Sequence, residues 1–365
     1  MSDFKEVIKL INSIQDKQLL EDFLMGLTTE EERKKLTQRI QIIKRLLAGE
    51  PQHSIAHDLG VGIATVTRGS KELRNDRFKV LKSKDTKSNK TKLDEIIAAK
   101  KRRLQEKKQR VPYSQLEKEA HSIRPFQGPT LFEAIKSGTE KPRIIAEVKK
   151  ASPSRGIIRN NFSLKEINSA YQTSSHVIAI SILTEEDYFQ GSEEIFSFFA
   201  ANNTHNKPLL RKDFIFDSYQ VLESKVLGAQ AYLLIAALFK DDTNKLRELI
   251  DLGYKIGIEP LVEVHNREEL ELVKSTKARI VGVNCRDMET FTTDPSLHEL
   301  LKELDNTYAK VAESGIRSPE HLSRVSVFSD AALIGGRFMS RPNIEKAITD
   351  IAQTISISNK DEAKS

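Results

Sequence analysis

The sequence predicts an α/β protein, a (β/α)8 TIM barrel preceded by a separate all-α helix-turn-helix domain. Three observations predict it: helical spacing of apolar residues through the first ninety positions, a basic polar stretch after them, and eight short apolar runs alternating with amphipathic segments over the remainder of the 365 residues. That length provides for two or three units with cores of their own. A hydrophobic share of 38% against a charged share of 30% excludes a wholly disordered chain. The longest apolar run, Ala231 to Phe239, falls well short of the ~20 residues a spanning helix needs, so no membrane contact is expected. The opening MSDFKEVIKL lacks the apolar stretch of a signal peptide, and a cytoplasmic location is expected. A single cysteine, Cys285, permits neither an intrachain disulfide nor a Cys-based zinc finger.

The first helical elements follow from spacing. Phe4, Val7, Ile8, Ile11 and Ile14, then Leu19, Leu20, Phe23 and Leu24, recur at three and four, which predicts one helical segment. In TTEEER, Thr28 or Thr29 can cap a second helix whose first turn is acidic. Leu36, Ile40, Ile43, Leu46 and Leu47 continue it until Gly49 and Pro51. From Gln52 to Leu73, small Ala56, Gly60 four residues on, and apolar Ile55, Leu59, Val61 and Val66 make a short supporting helix, a glycine turn and a recognition helix. Any tight helical hairpin can show Ala and Gly at that spacing.

The wording is narrower than the spacing. GIATVTRGS, with TTEEERKKLTQRI upstream and LLAGE between, resembles the tryptophan operon repressor family over a domain spanning residues 1–80. The resemblance implies that Thr29, Arg39, Thr65, Arg68 and Gly69 form a pocket for L-tryptophan as corepressor, and that Ile63, Ala64 and Thr67 meet operator DNA. Two guanidinium groups can flank an indole while one pairs the ligand carboxylate, and glycine admits close backbone approach. Taken singly, each arginine reads as a surface charge. Gly26, where the family has a bulky apolar residue, and a supporting helix one residue short are departures. Eighty residues of helix make a marginal core alone, so a homodimer through this domain is expected, which also suits paired half-sites on DNA.

Charge marks the boundary. Residues 71–110 hold 16 Lys and Arg against 6 Asp and Glu, whereas residues 1–70 balance at 10 each. KSKDTKSNKTK, Lys82 to Lys92, cannot bury itself, and residues 81–92 are expected to be a linker: a solvated tether, or extra phosphate contact beside a DNA-binding unit.

After two helical stretches come eight runs: RIIAEVKK from Arg143, VIAISILT from Val177, KPLLRKDF from Lys207, AYLLIAAL from Ala231, KIGIEPLVEV from Lys255, ARIVGVNC from Ala278, KVAESGI from Lys310 and DAALIGG from Asp330. The spacing leaves room for one helix each time, and the competing architecture is a doubly wound open sheet. Side chains two apart share a strand face, which pairs Glu147 with Lys149, Lys212 with Phe214, Glu259 with Leu261 and Glu263, and Asn284 with Arg286. Charges facing a packed interior are costly unless paired or functional, so the set reads as one site at the C-terminal mouth. Glycines after the seventh and eighth runs, Gly315 behind Ser314 and the pair Gly335 and Gly336, suit a phosphate seat. A phosphorylated small-molecule substrate is expected.

IIAEVKKASPSRG, SILTEEDYFQGS, LLRKDF, IEPLVEV, VGVNCRDMETF, VAESGI and LIGG resemble, in order and spacing, indole-3-glycerol phosphate synthase over residues 93–355, leaving a polar tail at 356–365. The resemblance implies closure of the pyrrole ring of 1-(2-carboxyphenylamino)-1-deoxyribulose 5-phosphate, with loss of carbon dioxide and water and without metal or other cofactor. It implies Lys212 as general acid, Glu263 as the carboxylate of the dehydration step, Lys149 holding the leaving carboxylate or the ring, and Glu147 and Asn284 orienting Lys149 and the sugar hydroxyls. Arg286, Glu313 and Ser314 support them, Phe189, Phe214 and Leu233 wall the aromatic ring, and Ser152 and Ser154 flank Pro153 in a loop able to cover the site. A lysine beside other cations is expected to have a lowered pKa. Gly336 stands where the family often has serine. His265 reads as supporting or surface, and Cys285, out of phase with Asn284 and Arg286, as facing the helices. Phosphoribosylanthranilate isomerase, which relies on a first-strand cysteine, is disfavoured because this first strand has none. The combination reads as a repressor fused to an enzyme of its own pathway. The competing readings are a regulator whose barrel only senses substrate, and an enzyme whose N-terminal unit only dimerises.

Overall fold

The computed structural model describes residues 3–14, 16–47, 50–74, 92–138, 142–152, 156–287 and 292–352. The chain divides into two compact units, Met1–Lys90 and Thr91–Ser365. The expected linker, apart from Lys92, and the expected tail lie outside the described residues.

The first unit is all-α: α1 (Asp3–Ser13), α2 (Lys17–Leu27), α3 (Glu30–Leu47), α4 (Gln52–Asp58) and α5 (Ile63–Arg74). Periodicity predicts one helix through Leu24, but the chain makes two. Asp16 starts the second by accepting the Leu19 N–H at 2.9 Å, a local cap that apolar spacing does not register. Thr29 caps α3 reciprocally with Glu32: the Glu32 N–H donates to Thr29 Oγ1 at 3.3 Å and the Thr29 N–H to Glu32 Oε2 at 2.9 Å. Gly60, at φ +62°, turns α4 into α5. Ile42 of α3, Ile55 of α4 and Val66 of α5 form the buried centre. Arg45 ties the turns together through Glu50 and Asp58.

The second unit opens with α6 (Lys92–Arg110) and contains a closed barrel. Its strands are β1 (Arg143–Val148), β4 (Val177–Leu183), β5 (Leu209–Lys212), β6 (Ala231–Ile235), β7 (Glu259–Val264), β8 (Ile280–Asn284), β9 (Ala309–Glu313) and β10 (Ala331–Ile334), while β2 (Ala151–Ser152) and β3 (Gly156–Ile157) form a small hairpin. All eight barrel strands run parallel in chain order, and β10 closes on β1 with Ile145 opposite Leu333. Alternation sorts the side chains. Ile145, Leu210, Leu233, Leu261, Ile280, Val311 and Leu333 fill the interior, and Ile144, Ile182, Leu234, Val262, Val283 and Ala332 belong to the layer shared with the surrounding helices.

Two runs are shorter as strands than their apolar stretches suggest. Lys255 and Ile256 end the helix Thr243–Ile256, which Gly257 stops at φ +74°, and Ala236–Phe239 winds into a 3-10 turn. A continuous apolar run satisfies a buried helix as well as a buried strand. Helix Leu131–Lys136 places Leu131 and Ile135 in the interior cluster at the N-terminal end. Glu259 serves that end, accepting the Phe132 N–H at 2.7 Å and pairing with Arg279 at 2.7 Å. It shares a strand face with Glu263 but not a site.

Candidate active site

Five of the eight barrel strands carry a polar or charged residue at or near their C-terminal ends. Glu147 and Glu263 lie next to the ends of β1 and β7, and Lys212, Asn284 and Glu313 end β5, β8 and β9. Together with Lys149 and Arg286 they line one cavity of about 320 Å³. Phe189, Phe214 and Leu233 form apolar walls of the same cavity, and Ser152 borders it. Ser314, Gly315, Gly335 and Gly336 line it too, with Gly336 opening the short helix Gly336–Met339. Pro153 and Ser154 lie outside the described residues.

The centre is Lys212. Its ammonium donates to Glu263 Oε2 at 3.0 Å and Glu313 Oε2 at 2.9 Å. Burial opposes its charge, but Glu263, Glu313 and Glu147 outweigh burial and hold the lysine well above its ordinary range. The expectation of a lowered lysine pKa is therefore corrected, because the neighbours that decide it are carboxylates rather than cations. The two glutamates split. Burial raises Glu313, reinforced by the charge of Glu263, whereas at Glu263 the effects of Lys212 and His265 overcome burial and lower it. Two carboxylates around one ammonium titrate as a pair and prefer one shared proton. Glu313 Oε1 is buried without a hydrogen-bond partner, which fits the harder-to-ionise member.

Lys149 forms an ion pair with Glu147. Tyr171 fixes that strand from outside by donating to the Glu147 carbonyl at 3.0 Å. Asn284 Oδ1 accepts the Arg286 N–H at 3.0 Å. Phe189 is positioned by a buried carboxylate: Glu185 accepts the N–H groups of Asp187, Tyr188 and Phe189 at 3.1, 2.8 and 3.0 Å.

Three contributions lie outside what motif reading found. Leu93 and Ile96 of α6 line the cavity. That helix is pinned by Lys100 to Asp213 (2.7 Å), by Arg103 to Asp187 (2.6 Å), by Lys107 to Glu223 (2.6 Å) and by Lys108 to Asp217 (2.8 Å). Four of the eight basic residues of this helix are thus paired with acids of the same unit. Arg211, 1% exposed, anchors the same acids through Glu223 at 2.8 Å and Asp213 at 3.3 Å. Alternation marks Arg211 as pointing outward, away from Lys212, which was the available signal. His265, read as supporting or surface, stands 3.2 Å from Glu263 Oε1. Cys285 is buried and outside the cavity lining, with Sγ packed toward Gly315.

In the first unit, Thr29, Arg39, Thr65 and Arg68 are exposed on the single chain. Gly69 admits α3 rather than open space: a β-carbon there would stand 3.1 Å from Ile42 and 3.3 Å from Ile43. Ile63, Ala64 and Thr67 are exposed on the first turns of α5, with the Thr67 hydroxyl donating to Gln52 Oε1 at 3.1 Å. Gly26 faces open space.

A closed parallel barrel with an acid–base cluster at the C-terminal ends of its strands defines a β/α-barrel enzyme. Comparison with known proteins specifies which. The chain belongs to the indole-3-glycerol phosphate synthase family, whose model matches residues 93–351. Residues 2–82 match the Trp repressor protein model, so the chain is a fusion of the two. It is 40% identical to the indole-3-glycerol phosphate synthase of Campylobacter jejuni over 260 residues, covering 70% of this chain and 98% of that protein. The synthase of Thermoanaerobacter pseudethanolicus is 40% identical over 249 residues, covering 68% of this chain and 92% of that protein. For the synthase of Caldanaerobacter subterraneus the identity is 41% over 251 residues, 68% of this chain and 93% of that one. Family membership makes the chain a lyase of tryptophan biosynthesis. No helix among the described residues is long and apolar enough to cross a membrane.

Proposed function

We propose that residues 93–355 convert 1-(2-carboxyphenylamino)-1-deoxyribulose 5-phosphate to indole-3-glycerol phosphate, and that residues 1–80, joined through 81–92, act as a tryptophan-responsive DNA-binding repressor. The observation that carries the enzymatic reading is the Lys212 ammonium held between Glu263 and Glu313 at the cavity floor. As the ring carbon bearing the carboxylate attacks the ketone carbon, negative charge grows on the ketone oxygen. Lys212 stabilises that charge and delivers the proton, leaving a hydroxyl. Lys149, oriented by Glu147, holds the carboxylate until carbon dioxide departs and aromaticity returns. The hydroxyl then leaves as water with a proton from the acid side of the cluster, and Glu263 removes the remaining ring proton to complete the indole. Phe189, Phe214 and Leu233 hold the aromatic ring near the ketone. Amides of Gly315, Gly335 and Gly336 take the phosphate, with Asn284, Arg286 and Ser314 on the sugar end and Ser152 at the entrance.

The chain contains no tryptophan, so indole emission from the product falls to the red of the protein's own tyrosine emission. The full chain should show that signal from the substrate alone, and its absence would refute the enzymatic reading.

For the N-terminal unit, Leu19, Met25, Leu27 and Leu36 are about half exposed, which supports a homodimer whose second copy covers them. A tryptophan site at Thr29, Arg39, Thr65, Arg68 and Gly69 would take further walls from that copy. The alternative is a dimerisation module without DNA binding. Titrating trp operator DNA with and without L-tryptophan separates them: the repressor reading requires tighter binding with tryptophan, through Ile63, Ala64 and Thr67. The synthase rate should not respond to tryptophan, because the proposed tryptophan site and the catalytic cavity are built on different units.

A further inference from the structure

Glu263 and Glu313 share one ammonium, but their surroundings differ on the far side. Glu263 Oε1 stands 3.2 Å from His265 Nε2, a buried ion-pair contact although Nε2 lacks hydrogen-bond geometry to it, whereas Glu313 Oε1 has neither a hydrogen bond nor an imidazole beside it. The other ring nitrogen, Nδ1, lies 3.3 Å from Glu269 Oε2. With a carboxylate oxygen within ion-pair distance of each nitrogen, the doubly protonated imidazolium is the form whose charge both carboxylates attract. Burial opposes charging the ring, but Glu263 and Glu269 outweigh it and raise His265 to about 10.

Glu269 does not need the ring for its structural task. It accepts the His265 N–H at 2.8 Å and the Asn266 side-chain amide at 2.8 Å, and it pairs with Lys240 at 3.1 Å. The cap of the helix Arg267–Lys274 is complete without the imidazole.

We propose that His265 is a positioning residue that assigns charge within the carboxylate pair: as an imidazolium it holds Glu263 ionised and aimed, and leaves Glu313 to carry the proton. This rests on the synthase reading above. The charged groups around it are Lys212 from β5, Glu313 from β9, Glu269 from the following helix and Lys240 from the turn after β6, with Glu147 acting on Lys212 from β1. Without the imidazolium, Glu263 and Glu313 become nearly equivalent, the proton spends time on Glu263, and both ionisations of the pair rise.

The test uses the full chain in two readouts. Ring nitrogen-15 shifts should show His265 doubly protonated at about pH 8; a neutral ring there overturns the proposal whether or not the protein turns substrate over. In steady-state kinetics, H265N should move the kcat/KM profile to higher pH by about one unit and lower kcat about tenfold, with KM within about twofold. H265K, which keeps a cation, should move the profile back. E269Q should shift it in the same direction as H265N, by less, and serves if H265N does not fold. An unmoved profile with only a lower melting temperature means a structural role and overturns the proposal. A wild-type chain without turnover refutes the synthase reading instead, and the ring shifts then decide His265 by themselves.

Discussion

Gly335 and Glu147 are fitted to each other: a β-carbon on Gly335 would stand 2.1 Å from Glu147 Oε2. Gly335, which follows β10 and belongs to the proposed phosphate seat, thus also clears space for a neighbouring carboxylate. Gly335→Ala should displace Glu147 and its pairing with Lys149, lowering kcat/KM about 100-fold while circular dichroism stays unchanged. A fully active G335A chain would show that the placement of Glu147 is immaterial.

The same fit recurs at Gly282, where a β-carbon would stand 2.0 Å from Glu313 Oε1. Gly282→Ala should disturb the Lys212–Glu313 contact and lower kcat more than it changes KM. Equal effects on both parameters would argue for a general distortion of the barrel.

Lys212→Met removes the proposed proton donor and leaves two buried carboxylates without their shared cation. The rate should fall about 10³-fold, and stability by about 3 kcal/mol, read from denaturant unfolding. If kcat falls less than about tenfold, Lys212 is not the general acid.

Asp213 provides a pH signature for the attachment of α6. Burial would raise its pKa, but Lys100 and Arg211 outweigh burial and hold it at about 2. A depressed folded-state pKa contributes stability that is present above the ordinary aspartate value and lost as pH falls toward about 2. The shift corresponds to about 2 kcal/mol. Asp213→Asn should be less stable at neutral pH and show a flatter acid limb in unfolding between about pH 4 and about pH 2. A limb parallel to wild type would mean that Asp213 titrates normally.

Leu19→Asp should weaken the proposed dimer. Wild type should sediment as a dimer and the variant as a monomer at micromolar concentration, with the synthase rate per chain unchanged. A monomeric wild type would mean that the exposed leucines are not covered by a second copy.

How much was legible varied with the range of the interaction. Strand positions were readable because period-two alternation around Glu147, Lys212, Glu263 and Asn284 is local. Glu259 looked equivalent to Glu263 on that basis, because alternation records the face of a strand and not the distance along it to the mouth. The ionisation state of Lys212 was not readable either. Its sign depends on carboxylates 51 and 101 residues away in sequence, and spacing carries no information about which of them arrive within 3 Å. The break between α1 and α2 escaped because Asp16, a single polar cap, ended what apolar spacing continued.

By itself the sequence determined the two-part architecture, the eight-strand order and the residues presented to one mouth, since helical and strand periodicities and ordered motifs are properties of neighbouring residues. Only the tertiary structure decided that Lys212 sits between Glu263 and Glu313, that His265 faces Glu263, and that Lys100, Arg103, Lys107 and Lys108 of α6 are bound to barrel acids. Barrel closure sets those distances, and at 3 Å in a buried site distance selects which group holds the proton.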